Sequence, residues 1–175
     1  MTYEYAVYFK LLLLCGYKGE LETYIDKALT VQDPLSDVVL KLSTAGADEK
    51  KMLSVLNEYL RQIKDSDIDY DRSVFALVMS FLKRKCVEDS MSMADITNLM
   101  YRIAVYTERY FDEPWQTMYL MGDMFDEAEA GYIDKEDYLR KFDAFIDNVI
   151  CFSDYPPVQS KKSFLRRICK KTKGK

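Results

Sequence analysis

Apolar residues recur along most of this chain at spacings of three and four rather than two. That period belongs to an α-helix with one buried face. Residues 48–63 give the clearest case. Met52, Val55, Leu56, Tyr59, Leu60 and Ile63 fall on one side, and Lys50, Lys51, Asn57, Glu58 and Arg61 on the other. Upstream, Asp33-Pro34 reads as an N-cap followed by the first helical position. Leu35, Val38, Val39 and Leu42 form the stripe behind it, and Gly46 ends it.

Four more helices follow by the same rule. One follows Asp71 as its cap, with Val74, Leu77, Val78, Phe81 and Leu82 inward. One runs from about Ser92 to Tyr110, with Ile96, Leu99, Met100, Ile103 and Tyr106 inward. Pro114 opens the next, carrying Trp115, Met118, Met121 and Phe125 to a stop at Gly131. Asp134 caps the last, with Tyr138, Phe142, Phe145, Ile146 and Val149 on one side; Asp134 and Asp137 make a capping box with Asp in place of Glu. The first 30 residues read as two helices broken near Gly16–Gly19. Connections are short, which favours antiparallel neighbours. The expected fold is all-α: a compact multi-helix bundle of about seven or eight helices, with stacked helical hairpins as a variant.

Composition agrees with that reading. The chain has 175 residues, 49% of them apolar and 31% charged, with only six Gly and four Pro for tight turns. This fits one soluble domain with a real core. Residues 1–155 are expected to form a single acidic helical domain, and residues 156–175 a basic C-terminal helix or tail. The run Leu11–Leu14 is interrupted upstream by Glu4 and Lys10, lacks a basic n-region and a small-residue cleavage site, and is far too short to span a membrane. A buried first helix is expected instead.

Two absences narrow the chemistry. The chain has no histidine, so Ser-His-Asp and Cys-His nucleophilic sites are impossible within it. Its four cysteines, Cys15, Cys86, Cys151 and Cys169, form neither a CxxC pair nor a zinc spacing. Reduced thiols and a cytoplasmic setting are expected.

Charge is divided sharply along the chain. Residues 1–160 hold 17 Lys/Arg against 29 Asp/Glu, a net −12, while residues 161–175 hold eight Lys/Arg and no acid. An acidic body repels nucleic-acid phosphates and attracts basic protein surfaces. The tail, with Phe164, Leu165 and Ile168 at helical spacing among its cations, has three readings. It contacts a membrane or RNA weakly, it lies on its own acidic body, or it is a terminal helix with a loose end.

Residues 126–137 (DEAEAGYIDKED) match the frame of a calcium loop at several points, but Ala128 and Ala130 occupy ligand positions. A helix stop at Gly131 and a new cap at Asp134 explain the same letters. Asp65, Asp67, Asp69 and Asp71 alternate in a stretch without the glycine such cation loops use, and read as a solvated negative loop. In residues 110–115, aromatics beside acids have the composition of a binding edge. The competing reading places Trp115 and Phe111 in the core, with Asp112 and Glu113 outside. Asp123, Asp126 and Glu127 share one helix face and repel one another mildly, as a face awaiting a basic partner would. Tyr/Lys or two-carboxylate catalysis stays formally open, but no residue is assigned a catalytic, cofactor or metal role.

In size, acidity and helical class, and in the style of the segments DPLSDVVL (33–40) and EPWQTMYLMGDMFDEAEAGY (113–132), the chain resembles the all-helical immunity proteins of bacterial toxin–immunity systems. That resemblance implies a cytoplasmic inhibitor, without enzymatic activity, that covers the basic active site of a cognate toxin. The basic tail departs from a purely acidic mimic. The contact residues expected on this reading are Asp67, Asp69, Tyr70, Asp112, Glu113, Asp123, Asp126 and Glu127. The alternative is a helical adaptor or scaffold that holds a peptide or helix in a groove, with the tail against membrane or RNA.

Overall fold

Eight helices account for the described part of a computed structural model, which describes residues 1–31, 34–63, 70–87 and 91–148. They are α1 (Tyr3–Leu14), α2 (Gly19–Val31), α3 (Asp37–Ala45), α4 (Glu49–Gln62), α5 (Tyr70–Val87), α6 (Met93–Tyr106), α7 (Trp115–Glu129) and α8 (Lys135–Asn148). Among the described residues there is no strand, so the fold is all-α. The chain divides into two compact units, with the boundary inside α5, between Leu77 and Val78.

In the first unit α1 is the core element. Ala6, Val7, Tyr8, Phe9, Leu11, Leu12 and Leu13 are all buried, so this helix is enclosed on nearly every side. A helix apolar all round must be enclosed in that way. α1 ends in a Schellman motif: Gly16 sits at φ +83, the Tyr17 N–H donates to Leu12 O at 2.9 Å, and the Gly16 N–H to Leu13 O at 2.9 Å. The chain therefore turns back, and α2 lays Tyr24 against Tyr5 and Phe9, with ring centroids 5.8 and 5.1 Å apart. α3 and α4 form a second hairpin, tied across by Lys41 and Glu58 at 2.8 Å. Asp48 caps α4, accepting from the Lys51 N–H at 3.1 Å. Among the described residues no helix is long and apolar enough to cross a membrane.

In the second unit α6 runs along α7, and α7 packs on α8. Ser92 caps α6, accepting from the Asp95 N–H at 3.1 Å. α7 closes in a second Schellman motif. Gly131 lies at φ +80, the Tyr132 N–H donates to Glu127 O at 2.9 Å, and the Gly131 N–H to Ala128 O at 3.2 Å. Asp134 then accepts from the Asp137 N–H at 2.7 Å and starts α8. Residues 126–129 are helical in α7 and residues 135–137 in α8, so a twelve-residue cation loop does not exist here. Trp115, Met118 and Met121 of α7 and Tyr138, Phe142 and Phe145 of α8 are all buried. Burial pushes the Cys86 thiol up to about 11, with the Asp143 carboxylate adding to it, so this cysteine stays protonated at neutral pH.

Several expectations need correction. α3 starts at Asp37, directly before its buried stripe of Val38, Val39 and Leu42; Ser36 holds the cap position, but its hydroxyl makes no capping bond. Pro34 precedes the helix, and Asp33 lies outside the described residues. α5 already includes Asp71, which therefore is not its cap. α6 stops at Tyr106, not Tyr110. The Thr107 hydroxyl donates to Ala104 O at 2.6 Å, and Glu108 takes the left-handed conformation, φ +61, that glycine usually supplies. Tyr106 is consequently exposed rather than inward. Val149 and the basic tail lie outside the described residues.

Two outcomes follow for α8. Asp134→Ala removes a cap and should lower stability by about 1 kcal/mol in urea denaturation, and millimolar calcium should leave the melting temperature of the parent protein unchanged. Asp137 is held below its ordinary value first by the hydrogen bond from Lys141, then by the Lys141 and Arg140 charges, against some desolvation. A depressed carboxyl stabilises the fold above its unfolded value and loses that contribution as pH falls. Asp137→Asn should therefore destabilise at neutral pH, with the difference shrinking only below about pH 3.9.

Candidate functional site

Acid is not spread evenly. Residues 1–63 hold nine Asp/Glu against seven Lys/Arg, whereas residues 91–148 hold 13 against five. The helices α6, α7 and α8 therefore carry the strongest negative field among the described residues.

Most cations of that region are paired with near neighbours. Arg109 lies 3.8 Å from Asp112, Lys141 lies 2.9 Å from Asp137, Arg140 also meets Asp137, and Lys135 meets Glu129. Among the described residues no cation pairs with Asp123, Asp126 or Glu127, and all three are exposed. Because Asp123 is three residues from Asp126 and four from Glu127, the three charges oppose each other on one face.

A strip of aromatic rings leads to these carboxylates. Phe111 meets Tyr110 with centroids 4.2 Å apart, Tyr110 meets Tyr119 at 5.3 Å, and Tyr119 meets Tyr101 at 4.9 Å. Tyr110 and Phe111 come from the α6–α7 loop, Tyr119 from α7 and Tyr101 from α6. The phenol of Tyr119 is held above its ordinary value, chiefly by a hydrogen bond with Tyr101 and further by the charge of Asp123. The strip therefore runs up to Asp123.

Beyond Tyr101 the two helices enclose an open recess of about 450 Å³. Asn98 and Tyr101 of α6 and Gly122, Asp123, Phe125 and Asp126 of α7 line it. A Cβ on Gly122 would meet Thr97 O and Tyr101 Cβ at 3.7 Å, so the helices nearly touch at its floor. Burial, then the charge of Asp126, holds the phenol of Tyr138, which sits behind Phe125 with rings 5.8 Å apart, above its ordinary value.

The eight expected contact residues divide by environment. Asp67 and Asp69 lie outside the described residues, and Tyr70 is placed only as the first residue of α5. Asp112 is exposed at the loop tip beside Arg109. Glu113 has a structural job: its carboxylate accepts from the Thr117 N–H at 3.2 Å and from the Thr117 hydroxyl at 2.7 and 2.9 Å, capping α7 behind Pro114. Asp123, Asp126 and Glu127 share the exposed face of α7. In residues 110–115 the core reading holds for Trp115, fully buried, but not for Phe111, which is 75% exposed. The Trp115 ring follows α7 inward, whereas Phe111 belongs to the turn that precedes it.

Tyr101, Tyr119 and Gly122 were not among the expected contacts. Tyr119, Gly122, Asp123 and Asp126 recur at i, i+3, i+4, i+7, so periodicity alone puts them on one stripe. The contribution of α6 required the pairing of the two helices, which no local pattern contains. The chain matches no known protein family, no curated protein and no solved structure.

The acids of this face differ in what they do for the fold. Glu113→Ala should cost about 1–2 kcal/mol, while Asp123→Asn combined with Asp126→Asn should leave stability within about 0.5 kcal/mol or raise it slightly. Urea denaturation of the two variants at neutral pH distinguishes them.

Proposed function

We propose that this protein is a stoichiometric inhibitor of the immunity type, which binds a basic surface of a cognate protein toxin through the α6–α7 face. The observation that carries this reading is the aromatic strip from Phe111 to Tyr101, bordered by carboxylates without cationic partners. Exposed aromatics supply contact area at low entropic cost, and surrounding acids select a basic partner and speed its approach. Leaving Asp123, Asp126 and Glu127 mutually repelling favours the bound state, in which a partner's cations relieve them.

A second reading has its own observation. In the first unit an apolar recess of about 420 Å³ is lined by Met1, Tyr5, Tyr24, Ala28 and Val31, with Lys27 beside them. A groove of that character suits an adaptor that takes an apolar side chain of a peptide. The two readings differ in salt response, because only the acidic face is screened.

The test is calorimetry with the protein encoded by the adjacent gene at two salt concentrations. Binding that weakens at least tenfold between about 50 and 300 mM salt, and that loses more than about 1 kcal/mol with Phe111→Ala, is the expected result. No binding, or binding indifferent to both salt and Phe111, refutes the proposal. Binding that is salt-insensitive but lost with Tyr24→Ala supports the adaptor.

A further inference from the structure

We propose that the recess between α6 and α7 is an arginine anchor: it receives one guanidinium group presented by the protein partner. This rests on the reading of the α6–α7 face as the partner surface, and it specifies which side chain that surface selects.

The lining determines the chemistry. Asp123 and Asp126 offer carboxylate oxygens from successive turns of α7, and Asn98 offers an amide from α6. Tyr101 and Phe125 are the aromatic residues of the lining. No Lys or Arg lines the recess. A site built from acceptors and ring faces attracts a cation and repels an anion. Its volume, about 450 Å³, falls within the ordinary range of small-ligand sites, roughly 300–1,000 Å³.

Arginine fits this lining better than lysine. A guanidinium is planar, so it stacks on a ring while its edge donates to carboxylates, and its five N–H groups exceed what a single acceptor satisfies. Two carboxylates one helical turn apart, beside an aromatic wall, meet both demands. An ammonium is a compact, strongly hydrated charge that uses only part of the wall. Gly122 makes room for the group. The neighbours of a Cβ here, at 3.7 Å, leave a methyl unstrained, and a larger side chain would crowd the floor of the recess.

The experiment uses the full chain and a defined probe, the peptide Ac-Arg-Arg-NH2, with its lysine and citrulline counterparts. Amide chemical shifts are followed by NMR at low salt. The expected result is a saturable response centred on Asn98, Tyr101, Gly122 and Asp123. Binding should be at least threefold weaker for the lysine peptide and undetectable for the citrulline peptide, which keeps the shape and loses the charge. Gly122→Leu should abolish the response by crowding the recess with the acids intact. Asp123→Asn with Asp126→Asn, which leaves the recess open, should weaken it about tenfold. Unchanged melting temperatures exclude a folding defect, and the Asn pair serves if Gly122→Leu does not fold. A citrulline response equal to that of arginine, a response spread over the whole acidic face, or one unaffected by both variants overturns the anchor. The parent reading fails differently, by absence of binding to the neighbour-encoded protein. If that protein binds equally well to the Gly122→Leu variant, the anchor falls and the wider face stands.

Discussion

The Glu113 carboxylate decides where α7 begins, and the acidic face is built outward from that point. It accepts from both the backbone N–H and the hydroxyl of Thr117, a residue with no exposed surface. A helix start must satisfy its free N–H groups, and here a residue two positions before the first helical one supplies the acceptor. Once the start is fixed, the period of the helix fixes the rest. Trp115 and Met118 turn inward, Tyr119 meets Tyr101, Gly122 comes to rest beside Thr97, and Asp123 and Asp126 fall on the outer side. A slip of one residue would rotate this series by about 100° and scatter the strip.

Glycine stops were the most legible helix ends. Gly16 and Gly131 announce their stops because the left-handed turn they adopt is easy only for glycine, and Asp134 caps α8 where a short polar side chain precedes an apolar stripe. The failures occurred where a plausible cap did not mark the start or an unusual residue filled a stop. α3 begins at Asp37 rather than behind Asp33-Pro34, Asp71 lies inside α5, and Glu108 took a position that would ordinarily be read as glycine. Inward positions were sound near the middle of each stripe, as at Met52, Leu56, Val78 and Phe142, and weaker at its edges, as at Val55 and Tyr106. The candidate site was half legible. Acids along one helix face follow from spacing, so Asp123, Asp126 and Glu127 could be grouped. That Glu113 is tied to the backbone, that Phe111 points out while Trp115 points in, and that Tyr101 joins from α6 are consequences of packing.

Acidic residues in this protein therefore have at least three separate functions. Asp48, Glu113 and Asp134 hold backbone N–H groups. Asp112, Glu129 and Asp137 neutralise neighbouring cations. Asp123, Asp126 and Glu127 do neither. The first group stabilises by satisfying donors that folding would otherwise strand, the second contributes little because exposed pairs are screened. Only the third leaves charge uncompensated, and it sits where rings are also exposed. Net charge alone does not reveal this division, since all nine count equally in the total.

The single tryptophan of this chain is Trp115, fully buried at the first position of α7. Indole emission shifts to longer wavelength when water reaches the ring. The protein thus contains one optical probe, located at the helix start on which its acidic face is built. Any event that loosens that start changes the colour of the emitted light, with no label attached.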